Sequence, residues 1–290
     1  MLKKIFNLLT VALGLTTALN LAALQDGERR TSSPEMLGHF NVAKDLFLPQ
    51  FDVKTDVDDL HSVAAVATIL RDPRFKAVRY HAVAGAYGMQ SGEYVPAPGV
   101  FDMAFGDQWS DAHGDRELAL ERVSSLVVNT LKNGGDIWIA EAGQSDFSAS
   151  MVRNIKALLP ATDSKQRIHL VQHSPWNQES TTPADLEYVK EHTDYHKIED
   201  GNFEGNGTPG FNTASDKDWP RVLADPKLGR LWLETRNAAN QFNGTPTRYH
   251  NEAISAGGMD FSDTAEACWI FGFGGLADAS EFFDEFLTGD

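Results

Sequence analysis

The chain has 290 residues, long enough to bury a substantial core in one large domain. Its 41 Asp and Glu outnumber 25 Lys and Arg, a formal net charge of −16 that argues against nucleic-acid backbones and anionic membranes as partners and suits a metal ion or a neutral or cationic ligand. The single cysteine, Cys268, excludes an internal disulfide, and within AEACWIFGF it reads as a small buried side chain rather than a nucleophile.

Residues 1–24 place Lys3 and Lys4 ahead of an apolar run that closes on the small residues Ala22 and Ala23, the layout of a secretory signal peptide. An uncleaved anchor is the alternative, although Thr16, Thr17 and Asn20 weaken it as a permanent span. The expectation is a secreted or periplasmic protein with no stable membrane insertion after cleavage. Loss of Lys3 and Lys4 leaves 23 cationic residues against 41 acidic ones, a net charge of −18. Residues 25–44 are polar and contain Ser and Pro, as expected of a linker or irregular N-terminal arm, and 45–290 form the domain.

Within that domain, LFLPQFDV (46–53), AVRYHAVAG (77–85), DIWIAEAG (136–143) and RIHLVQHS (167–174) read as short strands buried on both faces. Helical spacing of apolar residues predicts helices over 58–72, 116–135 and 148–160, the second stopped by Gly134 and Gly135. Alternation of the two patterns predicts an α/β fold with a mostly parallel sheet flanked by helices, whose ligands gather where the strands end. From about residue 175 the pattern loosens into an irregular insertion holding one helix, PADLEYVKEH, of the kind that carries function near strand ends. Helices over 228–242 and 262–275 follow.

The densest chemistry lies in FDVKTDVDDLHS (51–62), where Asp52, Asp56, Asp58 and Asp59 crowd the first strand-to-helix turn with Lys54 among them. One or two of these acids could cap the helix. Four exceed that need: unit charges ~4 Å apart repel by about 4 kcal/mol at an effective dielectric of 20, which calls for a cation or a shared proton. A hard divalent cation suits an all-oxygen donor set, and the Lys54 ammonium is the internal alternative.

FDVKTDVDDLHSVAAVATIL resembles the DxDPGxDDAxAL signature of the inosine/uridine-type nucleoside hydrolases, and is similar also to a looser, carbohydrate-related branch of that superfamily with an acid at the glycine position. Asp52, Asp58 and Asp59 match the signature's acids, Lys54 stands where the second Asp belongs and Asp56 replaces the glycine. IWIAEAGQSDFSASMVRNIKAL resembles the family's strand, GPLTN loop and helix, and GMDFSDTAEACWIF its late His-Asp segment. The resemblance implies a nucleoside-hydrolase-like, Rossmann-like fold with irregular insertions at the strand C-terminal ends. It implies a Ca²⁺ site formed by Asp58, Asp59, Asp260 and the Ser145 carbonyl, and water activation by Asp52 or Asp56. Asp263 rivals Asp260, although Ser262-Asp263 before an apolar helix reads more simply as an N-cap.

Substrate contacts are expected from Tyr87, His173, Trp176 and Asn177 beyond the strand ends, and from Asn212 in GNGTPGFN. Each has an ordinary alternative, aromatic packing for Tyr87 and a turn for Asn212. The resulting expectation is a metal-dependent hydrolase of an N-glycosidic or related glycosidic bond, acting on a small sugar or nucleoside, with room for a homo-oligomer. The alternative is a secreted binding protein on the same scaffold without turnover. Lys54 at the base position and Ala86, where the family places a ribose-binding Asn, favour that alternative.

Overall fold

The computed structural model describes residues 36–287, so the signal-peptide expectation for 1–24 falls outside the described residues. The described chain opens with a hairpin, β1 (Met36–Leu37) and β2 (Phe40–Asn41). This part of the expected irregular arm is instead packed against the core. Phe40 is fully buried, edge-on to Phe271 at 5.4 Å, and the apolar face of the hairpin explains why it does not hang free.

The main sheet contains β3 (Leu46–Phe51), β4 (Arg79–Tyr80), β5 (Ala82–Ala84), β6 (Trp109–Asp111), β7 (Ile137–Ala142), β8 (Ile168–Gln172) and β9 (Asp194–Lys197). Its order is β6-β5-β3-β7-β8-β9 with β4 also beside β3, and every pairing is parallel. The α/β expectation therefore holds. All six residues of β3 and all six of β7 are buried, which is why these strands read as continuous apolar runs. The chain steps outward from β3 to β5 and β6, then returns to the other side of β3 as β7. That reversal opens a crevice between the C-terminal ends of β3 and β7.

Helices α1 (Asp58–Arg71), α2 (Pro98–Phe105), α3 (Arg116–Lys132) and α4 (Asp146–Leu158) flank the sheet, with α5 (Ser164–Arg167), α6 (Pro175–Ser180) and α7 (Pro183–His192) around β8 and β9. The C-terminal third adds α8 (Trp219–Ala224), α9 (Gly229–Phe242), α10 (Glu252–Ser255), α11 (Ala265–Phe271) and α12 (Ala279–Phe286), with a small ladder of β10 (Asn212–Thr213) and β11 (Met259–Asp260). Every residue of α1 from Asp59 to Ile69 is buried. The helix is covered on its outer side by α9, whose Trp232 Nε1 donates to Thr68 Oγ1 at 3.0 Å. The later turns of α1 are thus covered by the C-terminal third, while Asp56 and Asp58 at its start stay half-buried. Cys268 is buried, and burial pushes its thiol pKa up, in keeping with an inert side chain. Among the described residues, no helix is long and apolar enough to cross a membrane.

Candidate active site

At the crevice, Gly143 ends β7 with φ 154°, and a Cβ there would sit 2.8 Å from the Asp52 Cβ and 2.9 Å from the Ala86 carbonyl oxygen. Only glycine lets β7 close so tightly against the end of β3. Asp52 is held in place by the Lys54 N–H donating to Oδ1 (2.8 Å), and by Gln144 and Gln90 Nε2 donating to Oδ2 (2.7 and 3.1 Å). Val53 follows at φ 52°, a left-handed conformation that strains a β-branched residue by roughly 1–3 kcal/mol. It is pinned there by its N–H donating to Asp59 Oδ2 at 2.5 Å and by its carbonyl accepting from Val95 at 2.8 Å.

Helix capping accounts for only part of this cluster, Asp58 Oδ1 accepting from the first-turn Asp59 N–H at 2.9 Å. Val57 is the N-cap of α1 and makes no side-chain cap bond, while Asp59 ties down the preceding turn. The second Asp59 oxygen, Oδ1, is buried and accepts no N–H or O–H among the described residues. Two compensations are open to the Asp59 carboxyl: a proton shared with the neighbouring Asp52 carboxyl, or a cation. Asp58, Asp59 and Asp263 each offer a carboxylate oxygen, and these oxygens lie within 4.8 Å of one another. Ligands on opposite sides of one Ca²⁺ stand about 4.8 Å apart at bond lengths of ~2.4 Å, so the trio fits a hard cation in both spacing and donor type.

Two members of the expected metal set differ. Asp260 is paired with Asn212 across the β10–β11 ladder, and its Oδ2 accepts from Asn212 Nδ2 (2.7 Å) and Asn251 Nδ2 (2.8 Å). Its Oδ1 accepts from the Ser262 N–H at 3.1 Å, so both of its oxygens are already taken up by N–H donors. The Ser145 carbonyl accepts the first intrahelical bond of α4, from Ala149 N–H at 2.8 Å, and so points into its helix rather than the crevice. In its stead Asp263, which makes no cap bond, turns inward from a 3-10 turn (Ser262–Thr264) and accepts from His173 Nε2 at 2.9 Å.

Burial is the main reason the carboxyl pKa values rise here, with mutual repulsion added. Asp52 is pushed to about 6, Asp56 to about 7 and Asp260 to about 6, while Asp58 and Asp59 rise well above the ordinary range, with Asp263 as their strongest charged neighbour. Asp56 accepts from the Val57 N–H at 2.6 Å and more loosely from Asn251 Nδ2, at 3.3 Å to either oxygen. For the His173 ring, burial opposes protonation but Glu266, Asp263 and Asp200 outweigh it and push the pKa to about 9. Gly201 N–H nevertheless donates to its Nδ1 at 3.0 Å, which only an unprotonated nitrogen can accept. These two hydrogen bonds fit the neutral Nε2–H form, while the surrounding carboxylates favour a second proton on the ring.

Asp52, Asp56, Asp58, Asp260 and Asp263 line a cavity of about 740 Å³, with Asn212, Asn251 and Gln90 among the neutral groups. Of the expected substrate contacts, His173, Trp176, Asn177 and Asn212 line it, whereas Tyr87 does not: its hydroxyl bonds His113 Nδ1 at 3.0 Å. The Lys54 ammonium rests on the Tyr87 ring, 4.3 Å from its centre, and no carboxylate of the described residues lies within 4.0 Å of it. Lys54 therefore does not fill the acid cluster. The large apolar side chains left exposed include three aromatics, Trp176, Phe203 and Tyr249, and all three line this cavity. Phe203, Tyr249, Asn202 and Asn251 were not anticipated. Asn251 sits in RYHNEA as the N-cap of α10, which made a local role sufficient to explain it.

No protein-family model matches the chain, and no curated protein matches it. A solved structure described as a nucleoside hydrolase-related hypothetical protein from Saccharophagus degradans that is associated with carbohydrate metabolism is similar at a TM-score of 0.37 and 10% identity, over 73% of this chain and 54% of that one. The chain thus spans about half the length of that protein. A likeness this distant says nothing of activity.

Proposed function

We propose that the protein is a metal-dependent hydrolase of an N-glycosidic, nucleoside-like or related glycosidic bond, on a divergent nucleoside-hydrolase-like scaffold formed by residues 45–290. One observation carries the proposal: the cavity lined by Asp58 and Asp263, which with the buried Asp59 behind them form a cation-sized trio of carboxylates, is also lined by Trp176, Phe203 and Tyr249, the exposed Phe, Tyr and Trp side chains of the described residues. Carboxylates and aromatic faces lining one cavity are what a polyhydroxylated ring with a flat leaving group requires. Asp58, Asp59 and Asp263 would hold the ion, for which Ca²⁺ is the proposed identity. A bound divalent cation supplies charge stabilisation and lowers the pKa of coordinated water.

The chain's own groups do the rest. Asp56 is the better placed of the two candidate bases, because its pKa near 7 matches a working pH and its two long amide contacts leave a lone pair for a water proton. Asp52, with both oxygens already accepting from N–H groups, holds the turn and the Asp59 carboxyl in place. Trp176, Phe203 and Asn177 orient the substrate, a small sugar or nucleoside. Export through the N-terminal signal, to a secreted or periplasmic location where calcium is plentiful, belongs to the same proposal.

Release of reducing sugar from a panel of nucleosides and glycosides, with calcium and again with chelator, tests it. Calcium-dependent product from at least one member is the expected result. Trp176→Ala is expected to weaken substrate binding about tenfold through the lost ring face while leaving cation affinity unchanged, read as KM and by calorimetry. Lys54 on the cavity wall, where the resembling family has an acid, favours a second reading, a carbohydrate- or nucleoside-binding protein without turnover. Tight binding of a panel member with no product, cation present, would select it.

A further inference from the structure

A second group of metal-ligating side chains lies on the sheet, away from the acid crevice. His169 on β8 and Asp194 on β9 are paired in register, and His196 follows Asp194 on the same face. Asp194 Oδ2 lies 2.8 Å from His169 Nδ1 and 2.9 Å from His196 Nε2, and the three donor atoms fall within 4.8 Å of one another. His169 stands four residues, about 13 Å along an extended strand, before His173 of the crevice.

We propose that His169, Asp194 and His196 form a binding site for a borderline transition-metal ion, Zn²⁺ foremost, separate from the all-oxygen site. The donor set decides the class of ion. Two imidazole nitrogens and one carboxylate oxygen suit Zn²⁺, Ni²⁺ or Co²⁺ and are poor ligands for Ca²⁺. Ring orientation is set by neighbours: Trp138, in register with His169, stacks on it at 4.0 Å and 15°, and Trp269 lies 4.9 Å from His196. His39 stacks on Trp269 at 4.3 Å and faces Trp138 at 5.8 Å, so a third imidazole borders the group. The free nitrogen of His169, Nε2, has the Asp136 carboxylate 3.9 Å away, on the side where a metal-bound imidazole places the acceptor for its remaining N–H. His196 and Asp194 are about one third and two fifths exposed, which leaves room for water to complete the coordination.

Zn²⁺ titrated by calorimetry into the full chain, with excess Ca²⁺ present to occupy the crevice, tests the site. The wild type and Asp59→Asn are expected to bind one Zn²⁺ equivalent each, and His196→Ala or His169→Ala to bind it roughly a hundredfold more weakly, as befits loss of one of three protein ligands. Asp194→Asn, which keeps a hydrogen-bond acceptor for both rings and so protects the fold, is expected to show the same loss. Replacing Zn²⁺ with Co²⁺ should give a visible spectrum of low-coordinate cobalt with nitrogen ligands in the wild type and not in the histidine variants. Equal Zn²⁺ affinity in wild type and all three variants, or no Zn²⁺ binding by the wild type, would overturn the proposal and leave a hydrogen-bonded His-Asp-His cluster.

Discussion

Asp59→Asn is expected to lower affinity for Ca²⁺ about a thousandfold or more while raising the thermal stability of the cation-free protein near pH 7. Both halves come from the same geometry. Asp59 is 2% exposed, its Oδ2 is committed to the Val53 N–H and its Oδ1 accepts nothing from the described residues. Removing one unit of charge about 4 Å from a divalent ion forfeits roughly 4 kcal/mol per unit of ion charge at an effective dielectric of 20, so a thousandfold is a conservative loss. An asparagine of the same shape keeps an oxygen for Val53 and turns an NH₂ toward Asp52, relieving repulsion that the carboxyl creates. Calorimetric titration of Ca²⁺ into both proteins, with melting curves in chelator, reads the two effects separately. Equal calcium affinity, or a variant less stable than wild type without calcium, would mean that Asp59 serves the fold and not an ion.

The parts of this arrangement legible in the sequence are those with one dominant physical cause. β3, β7 and β8 announce themselves because burial on both faces demands uninterrupted apolar runs. β6 and β9 do not, since WSD and DYHK lie at the sheet edges, are partly solvated, and can be polar. Helix α3 shows the same limit: Leu118 fits its apolar spacing yet is exposed, while Ala119 is buried. The acid turn was legible because four carboxylates in eight residues exceed any capping need. What was not legible is which distant acid turns to meet it. Asp260 and Asp263 are three residues apart, and the choice rests on a 3-10 turn that aims Asp263 at His173 while the β10–β11 ladder hands Asp260 to two amides. Asn251, which also donates to Asp260, reaches Asp56 across 195 residues of chain, a contact that no local pattern announces.

In chelator, the protein is expected to lose roughly 4 kcal/mol or more of stability between pH 5 and pH 8, and calcium is expected to restore only part of it. Burial raises the folded-state pKa of Asp52 and Asp260 to about 6, of Asp56 and Glu266 to about 7 and of Glu141 to about 8. Unfolded, these groups titrate near 4. A raised folded pKa means that the folded chain binds more protons than the unfolded one between the two values, so stability is fully present below pH 4 and drains away as pH climbs through 6 to 8. His61 and His81, lowered by burial to about 3 and about 4, act in the opposite sense below pH 6.5, which places the optimum of the cation-free protein on the acid side of neutrality. The aspartates and Glu141 part company when calcium is added. Glu141 lies at 0% exposure on β7 with Ser145 Oγ donating to it at 2.6 Å, and does not line the crevice. An ion held by Asp58, Asp59 and Asp263 would displace protons from the aspartate turn and flatten its share of the pH dependence, leaving that of Glu141 and Glu266. Glu141→Gln removes the larger part of the remainder, and Glu266, raised to about 7, keeps the rest. Urea unfolding of wild type and Glu141→Gln at pH 5 and pH 8, each with chelator and with millimolar calcium, resolves the two contributions, and a stability that rises toward pH 8 in chelator would refute the buried, proton-bearing aspartate turn on which the metal site depends.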